Sequence, residues 1–296
     1  MSVIRTETAT PEPQQSPTPA AVTVMDDAVR LEDVTAGYGD RVALSHVTLR
    51  VPRGSLLAVV GPNGAGKSTL IKVMAGLLKP FSGRVVVLGG EVGEHATRVA
   101  YLPQAEAVDW QFPVSVGDVV MMGRYPLIGW GRRPGATDRD HVARALATVG
   151  MEAQADRQIG ALSGGQRRRV FLARAIAADP DLYLLDEPVT GVDAVTQEDL
   201  MDVLEAEARS GKTVIATTHD LLCAAQRFQQ AALINGRLVA QGPANLVLDQ
   251  KLLAETYGGH VLILQADSGT AMALDDAHHH DEAAGRERHF HEDGHR

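Results

Sequence analysis

The chain has 296 residues, of which 45% are hydrophobic, and a formal net charge of -9. This length suits one large domain or two smaller ones, and an acidic balance without a basic stripe argues against nucleic acid as a partner. No apolar run approaches the roughly 18 residues of a membrane-spanning helix, so any membrane contact is expected to run through a partner. Residues 1–26 are rich in Pro, Thr, Gln and Ala, lack an apolar signal region and are predicted to form a disordered leader.

Strand patterns begin at Ala28 and precede a Gly-rich turn. Strands are predicted at 28–38, 42–51, 56–60, 84–90 and 98–103. The third of them is a continuous apolar run, which is typical of a buried strand. The Gly-rich turn follows that run and opens a predicted helix from about Lys67 to Leu78.

A helical insertion is predicted over about 105–166. Ser115 can cap a helix that runs through Met122, and Thr137 can cap a second helix that stops at Gly150. Alternation of helices and strands then resumes. Helices are predicted at 163–178, at 194–209 and after 220, and strands at 182–185, 213–218, 231–234 and 238–240. Such alternation implies a largely parallel sheet, into which the helical segment is inserted.

Composition divides the chain into a domain over 27–245, an extension over 246–266 and an acidic tail over 267–296. The tail carries eight Asp or Glu against three Arg, together with six of the 11 histidines. Its histidines stand beside carboxylates, a combination that can chelate Zn²⁺, and a solvated acidic tail is the alternative. The single cysteine, Cys223, excludes an intrachain disulfide and is expected to be a small apolar residue on a helix.

The segment GPNGAGKST fits the pattern G-x-x-x-x-G-K-[ST] and lies between a predicted strand and a predicted helix, as a phosphate-binding loop requires. Glycines let successive backbone N–H groups turn toward phosphate oxygens, and the helix N-terminus favours negative charge. Lys67 is expected to reach the β- and γ-phosphates, and the Ser68 hydroxyl to ligate Mg²⁺. The residues predicted to bind the nucleotide here are Gly61, Pro62, Asn63, Gly64, Ala65, Gly66, Lys67, Ser68 and Thr69.

The segment LYLLDE supplies two carboxylates at the end of a buried strand. Asp186 can hold Mg²⁺ through water, and Glu187 can polarise the attacking water as a general base or as its hydrogen-bonding anchor. Together with the phosphate-binding loop, these carboxylates predict hydrolysis of a nucleoside triphosphate.

The segment LSGGQ opens a predicted helix, where Ser163, Gly164, Gly165 and Gln166 can offer donors to an anion. One phosphate site already exists at 61–69. A second helix end aimed at a phosphate is explained if two protomers pack head to tail and each completes the nucleotide site of the other.

These motifs, in this order, resemble the nucleotide-binding subunit of an ABC transporter over about residues 28–245. The resemblance implies a P-loop NTPase (RecA-like) α/β core with an antiparallel β subdomain and an inserted α-helical subdomain. It further implies that Tyr38 stacks on adenine, that Gln104 contacts Mg²⁺ and the attacking water, that Asp193 lies at a dimer interface and that His219 contacts the γ-phosphate. TGVD departs from the small-apolar-Leu-Asp sequence of many family members, but its Asp is retained.

The implied reaction is hydrolysis of ATP to ADP and phosphate, with two ATP molecules held between two such subunits on the cytoplasmic face of a membrane. The segment VDWQFPVSVGDVVMMGRYPLIGWGRRP is similar to that of ABC ATPases that serve manganese, zinc or iron import. The resemblance therefore implies transmembrane permease subunits and an extracytoplasmic metal-binding protein as partners. Trp110, Phe112 and Trp130 in this segment are either anchors for the permease or part of a small buried core.

Three other interpretations are considered, and the sequence argues against two of them. The cargo can be an iron chelate or another small solute instead of a metal ion. A soluble ABC ATPase that acts on ribosomes or DNA is disfavoured, because the chain has one Gly-Lys-Ser loop and no heptad run. A metal-binding or regulatory module with an ATPase fold would require a damaged site, whereas Lys67, Asp186, Glu187 and His219 are all present.

Overall fold

The computed structural model describes residues 26–104 and 112–258, and the backbone of 261–266 and 269–274. Most of the predicted leader, Trp110 and the histidines of the tail lie outside the described residues. Within the described part of the chain, no helix combines the length and the apolar character needed to cross a membrane.

The strands account for two sheets and a hairpin. In the described residues they are β1 (Asp27–Tyr38), β2 (Arg41–Pro52), β3 (Leu56–Val60), β4 (Ser82–Val87), β5 (Gly90–Glu91), β6 (Val99–Leu102), β7 (Leu182–Leu185), β8 (Thr213–Thr218), β9 (Gln230–Ile234), β10 (Leu238–Pro243), β11 (Val261–Ala266) and β12 (Gly269–Leu274). One sheet is antiparallel, in the order β2-β1-β4-β5. The other has the order β10-β9-β3-β8-β7-β6 and is parallel except for the pairing of β10 with β9.

The helices connect these strands and form the insertion. In the described residues they are α1 (Lys67–Met74), α2 (Val116–Met121), α3 (Tyr125–Ile128), α4 (Ala136–Thr148), α5 (Gly164–Ala177), α6 (Ala194–Arg209), α7 (Leu221–Arg227), α8 (Ala244–Val247) and α9 (Gln250–Tyr257). Short 3₁₀ turns lie at Ala96–Arg98, Glu152–Gln154 and Ile159–Ala161. Cys223 is buried on α7, as predicted, and burial raises the pKa of its thiol to about 11.

Strand β3 is buried on both faces, which explains its continuous apolar sequence. Leu56, Ala58 and Val60 belong to a core that includes the apolar residues of α5 and α6, whereas Leu57 and Val59 belong to a core shared with α1 and the antiparallel sheet. Because β3, β8 and β7 are adjacent and parallel, the residues that follow them meet at one edge of the sheet.

The inserted helices pack against α5, and an ion pair fixes their arrangement. Arg124 Nε lies 3.1 Å from Asp138 Oδ1, and Arg124 Nη1 donates to the carbonyl of Ala177 at the end of α5. The prediction that Thr137 caps α4 is wrong: the helix begins at Ala136, and Gly135 is its N-cap residue. The carboxylate of Asp138 accepts the Gly135 N–H at 2.9 Å, so the capping group lies inside the first turn.

Helix α1 ends at Met74, four residues before the predicted end. Gly76 has φ +73, and the N–H groups of Gly76 and Leu77 donate to the carbonyls of Val73 and Lys72. This is a Schellman motif, in which glycine takes the left-handed conformation that stops the helix.

Candidate active site

The phosphate-binding loop follows β3 and ends at α1, as its sequence predicts. The Lys67 side chain is buried, and its Nζ donates to the carbonyl oxygens of Gly61 at 2.7 Å and Pro62 at 3.0 Å. Burial lowers the pKa of Lys67, whereas the charges of Glu187 and Asp186 act in the opposite direction. The loop and the two carboxylates after β7 therefore form one electrostatic unit.

Two glycines of the loop are required by their surroundings. A Cβ on Gly61 would lie 2.0 Å from the carbonyl oxygen of Ile234, so the loop passes directly against the end of β9. Gly66 is the N-cap residue of α1 with φ +95, and a Cβ there would lie 2.5 Å from Leu44 Cδ2. These contacts hold the loop at the helix N-terminus, where backbone N–H groups favour a phosphate.

Asp186 is only 2% exposed and lies directly after β7. Its Oδ1 accepts a hydrogen bond from the Thr217 hydroxyl at 2.7 Å. The same Thr217 oxygen accepts the backbone N–H of Glu187 at 2.8 Å. One buried threonine on β8 therefore sets the positions of both carboxylate-bearing residues.

Glu187 has φ +51, a left-handed conformation that is uncommon for a residue with a Cβ. Its side chain is nearly buried, and its Oε2 lies 3.8 Å from Nδ1 of His219, which follows β8 and is exposed. The backbone carbonyl of Glu187 accepts a hydrogen bond from Arg168. The predicted catalytic carboxylate and the predicted γ-phosphate contact therefore lie side by side.

Gln104 and Tyr38 stand at the border of this site. Gln104 is exposed, and its backbone carbonyl accepts a hydrogen bond from Arg168 Nη1 at 3.0 Å. Tyr38 ends β1 and is half exposed, and its hydroxyl accepts from Lys72 Nζ of α1 at 3.3 Å. An exposed aromatic ring beside the phosphate-binding helix has the placement that stacking on a base requires.

Three of the predicted site residues carry hard oxygen donors. Asp186 lies directly after β7, Gln104 lies two residues after β6, which pairs with β7, and Ser68 lies in the first turn of α1. Mg²⁺ prefers such donors, and it commonly takes one or two carboxylates together with waters and substrate phosphates. Within the described residues, no group of three or more His, Cys, Asp or Glu could hold a metal alone. The donor set therefore fits a cation held jointly by protein and nucleotide.

The LSGGQ segment lies at a different place in the chain. Ser163 caps α5 by accepting the Gln166 N–H, while the Gln166 side chain accepts the Ser163 N–H. Asp193 caps α6 through Thr196, and this hydrogen bonding holds the pKa of the Asp193 carboxyl below its usual range. The two caps line one cavity of about 270 Å³. Its described lining residues are Gly150, Met151, Gln154, Ser163, Gly165, Gln166, Arg169, Asp193 and Thr196, and they include no residue of the phosphate-binding loop.

Two residues that sequence reasoning missed take part in this arrangement. Thr217 lies within the apolar strand TVIATT, where a threonine carries no chemical signature. Parallel register pairs Leu185 with Ala216, so the next residues, Asp186 and Thr217, become neighbours. Arg168 follows LSGGQ in a run of three arginines, and the run does not indicate which of them points toward β7.

Comparison with known proteins agrees with this geometry. Residues 44–190 match the family model described as ABC transporter. The zinc transport system ATP-binding protein of Treponema pallidum is 43% identical over 253 residues, which cover 86% of this chain and 95% of that protein. The manganese transport system ATP-binding protein of Bacillus subtilis is 44% identical over 80% of this chain and 95% of that protein.

Solved structures agree on the architecture. The chain cbiO1 of Clostridium perfringens, part of the ABC transporter complex cbiONQ, is 28% identical with a TM-score of 0.67, and the match covers 78% of this chain and 94% of that one. The ADP conformation of MJ1267, an ATP-binding cassette of an ABC transporter, is 24% identical with a TM-score of 0.69 over 79% and 99% of the two chains, and it shows the fold alone. The predicted P-loop NTPase fold class is thereby confirmed.

Proposed function

This chain belongs to the ATP-binding proteins of ABC transporters, and on that premise we propose that it hydrolyses ATP to drive import of a divalent transition metal such as manganese or zinc. The proposal that the chain hydrolyses ATP rests on one observation: Lys67, Asp186 and Glu187 lie close together at one edge of the parallel sheet. The cargo is inferred from the zinc and manganese transport systems to which the chain is similar.

In the proposed mechanism, Lys67 and the backbone N–H groups of the loop bind the β- and γ-phosphates, and Tyr38 stacks on the adenine ring. Ser68, Gln104 and Asp186 would hold Mg²⁺, and the ion would supply positive charge to the phosphates. Glu187 either accepts a hydrogen bond from the attacking water and so orients it, or accepts its proton as a general base.

His219 adds a donor toward the γ-phosphate in this scheme. Its ring lies beside the Glu187 carboxylate, so the two groups can act on the same phosphate and the same water. In the transition state, negative charge spreads over the oxygens of the γ-phosphate, and nearby hydrogen-bond donors and positive groups stabilise it.

We propose that two copies of the chain form the working unit. Ser163, Gly165 and Asp193 line a cavity separate from the phosphate-binding loop of their own protomer. A head-to-tail dimer would place the α5 N-terminus of one copy at the γ-phosphate bound by the other, where a helix end favours the anion. Both ATP molecules are then enclosed between the two subunits.

The permease is proposed to contact the inserted helices. Phe112 is 61% exposed and Trp130 is fully exposed, so the alternative that these two aromatics form a small buried core is wrong. A groove of about 650 Å³ runs between α2 and α4, with Met121, Tyr125 and Leu146 among its lining residues. Exposed aromatics next to a partly apolar groove are typical anchors for a protein partner.

An uncoupling test follows from this placement. The double substitution Trp110→Ala and Phe112→Ala is expected to lower ATP-driven metal uptake by roughly tenfold or more, since loss of aromatic anchors at an interface costs about 2 kcal/mol or more. Basal ATPase activity of the isolated chain should stay within about twofold, because Phe112 is exposed. Loss of folded protein, measured by circular dichroism, or unchanged metal uptake would contradict the role of these aromatics as permease anchors.

Uptake measurements test the proposed cargo. The chain is assembled in vesicles with the membrane subunits that copurify with it, and radiolabelled manganese, zinc and a ferric chelate are offered in turn. We expect ATP-dependent uptake of manganese or zinc, and a drop of at least roughly 100-fold in the Glu187→Gln variant. Uptake of the chelate alone would transfer the assignment to the chelate alternative, and copurification with ribosomes or DNA would favour the soluble one.

The remaining assignments follow from the same proposal. The chain is a peripheral protein on the cytoplasmic face of the membrane, and an extracytoplasmic metal-binding protein delivers the ion to the permease. The domain over 27–245 carries the catalytic machinery, while 246–266 form an extension and 267–296 a tail.

A further inference from the structure

Arg168 lies on α5, two residues after the LSGGQ segment, and its guanidinium reaches three backbone carbonyls. Nε donates to Pro188 at 2.9 Å, Nη1 donates to Gln104 at 3.0 Å, and Nη2 donates to Glu187. Two of these acceptors belong to the segment after β7, and the third belongs to the segment after β6. One side chain on α5 therefore joins the two segments that carry Glu187 and Gln104.

The contact to Glu187 falls on a residue whose backbone needs support. Glu187 has φ +51, and a residue with a Cβ keeps this conformation only where the surroundings hold it. Its N–H is held by Thr217, and its carbonyl is held by Arg168. The peptide groups on both sides of the catalytic carboxylate are thus fixed by side chains from two other elements.

Arginine suits this position better than other residues. Its guanidinium stays charged at every physiological pH, and its planar fork presents several N–H donors in fixed directions. Hydrogen bonds from a charged donor are stronger than those between neutral groups. A lysine has the charge but lacks the planar fork, and a glutamine has neither the charge nor the number of donors.

We propose that Arg168 is a positioning residue that holds Glu187 in its left-handed backbone conformation and links it to the backbone of Gln104. This inference rests on the proposed function, in which Glu187 acts on the attacking water. Gln104 begins the stretch that leads to Phe112 and the proposed permease surface. A displacement of the Gln104 backbone would therefore reach Glu187 through Arg168.

The test compares Arg168→Gln, Arg168→Lys and the matched control Arg167→Gln. Arg167 also lies on α5 and also donates to a backbone carbonyl, that of Gly160, at 2.9 Å. For Arg168→Gln we expect kcat for ATP hydrolysis to fall by roughly ten- to 100-fold, as for the loss of a hydrogen bond from a charged group, with KM for ATP within about twofold. Arg168→Lys should recover only part of kcat, and Arg167→Gln should retain kcat within about twofold.

A second measurement separates positioning from general support of the fold. ATP affinity is compared between Glu187→Gln and the double variant Glu187→Gln with Arg168→Gln. If Arg168 only positions the backbone of Glu187, the two affinities agree within about twofold, because neither residue is assigned a contact with ATP. A larger loss of affinity in the double variant would show that Arg168 supports the nucleotide site as a whole. The melting temperature of each variant is recorded alongside.

Several results would overturn the inference. One is an unchanged kcat in Arg168→Gln. Another is that Arg168→Gln and Arg167→Gln lose kcat, ATP affinity and melting temperature to the same extent. If Arg168→Gln yields no folded protein, the same criteria apply to Arg168→Lys, which keeps the charge and the aliphatic stem. Full ATPase activity in Glu187→Gln alone would contradict the proposed function itself, whereas an inactive Glu187→Gln with an active Arg168→Gln would remove only the role of Arg168.

Discussion

Glu187→Gln is expected to stop ATP turnover while ATP binding stays close to that of the unsubstituted chain. Glutamine keeps the shape of the side chain but cannot accept a proton or carry the negative charge that polarises water. General base catalysis commonly contributes roughly 100- to 10,000-fold, so kcat should fall by that range. The backbone contacts of Glu187 to Thr217 and Arg168 do not involve its carboxylate and are expected to persist.

Two assays measure this result on the same preparation. Steady-state phosphate release gives kcat, and equilibrium binding of a fluorescent ATP analogue gives the affinity. Glu255→Gln is the matched control, since Glu255 is an exposed glutamate on α9. ATPase activity like that of the unsubstituted chain in Glu187→Gln would contradict the assignment of Glu187, and a large loss in Glu255→Gln would show that the assay responds to charge alone.

Part of this site could be predicted because local spacing encodes it. The phosphate-binding loop needs a strand, a set of glycines and a helix start within a few residues, and all of these stand together in 56–69. Asp186 and Glu187 likewise follow their strand directly. The resemblance to a known family then placed Tyr38, Gln104 and His219, whose single residue types carry no specific signal by themselves.

The rest depends on the order and register of strands that are distant in the chain. Alternation of helices and strands predicts a parallel sheet, but it does not say that β8 lies between β3 and β7. That order brings Thr217 to Asp186 and His219 to Glu187. The contacts of Arg168 depend in the same way on how α5 packs beside β6 and β7, and no local pattern contains that information.

The solvent exposure of the aromatic residues could not be predicted from composition either. An aromatic residue in a sequence rich in Pro and Gly can belong to a small core or to a docking surface, because both environments favour large apolar side chains. Phe112 and Trp130 turn out to be exposed, and neither their type nor their spacing distinguishes the two cases. The N-terminus of α4 was likewise mispredicted, because threonine, the residue type of Thr137, is common at the N-cap. The observed N-cap residue is Gly135, whose N–H donates to the Asp138 carboxylate in the first turn.

Thr217→Val is expected to weaken both the fold and catalysis. Valine matches the shape of threonine but removes the hydroxyl, so Asp186 loses a donor and the buried N–H of Glu187 loses its acceptor. An unsatisfied buried polar group costs about 1–3 kcal/mol, which corresponds to a fall in melting temperature of roughly 2 to 12 °C for a domain of this size. The value of kcat should fall by roughly tenfold or more, because Asp186 and Glu187 lose their shared support.

Thr217→Ser separates the hydroxyl from the methyl group that accompanies it. Serine keeps the oxygen that bridges Asp186 and Glu187 and removes only a buried methyl group, so its cost is limited to packing, at about 1 kcal/mol. Thermal unfolding, ATPase rates and a Mg²⁺ titration of both variants are compared, and only Thr217→Val should need more Mg²⁺ for half-maximal activity. If the two variants behave alike in all three measurements, the hydroxyl bridge does not organise the site, and the position of Glu187 must be maintained chiefly from the side of Arg168.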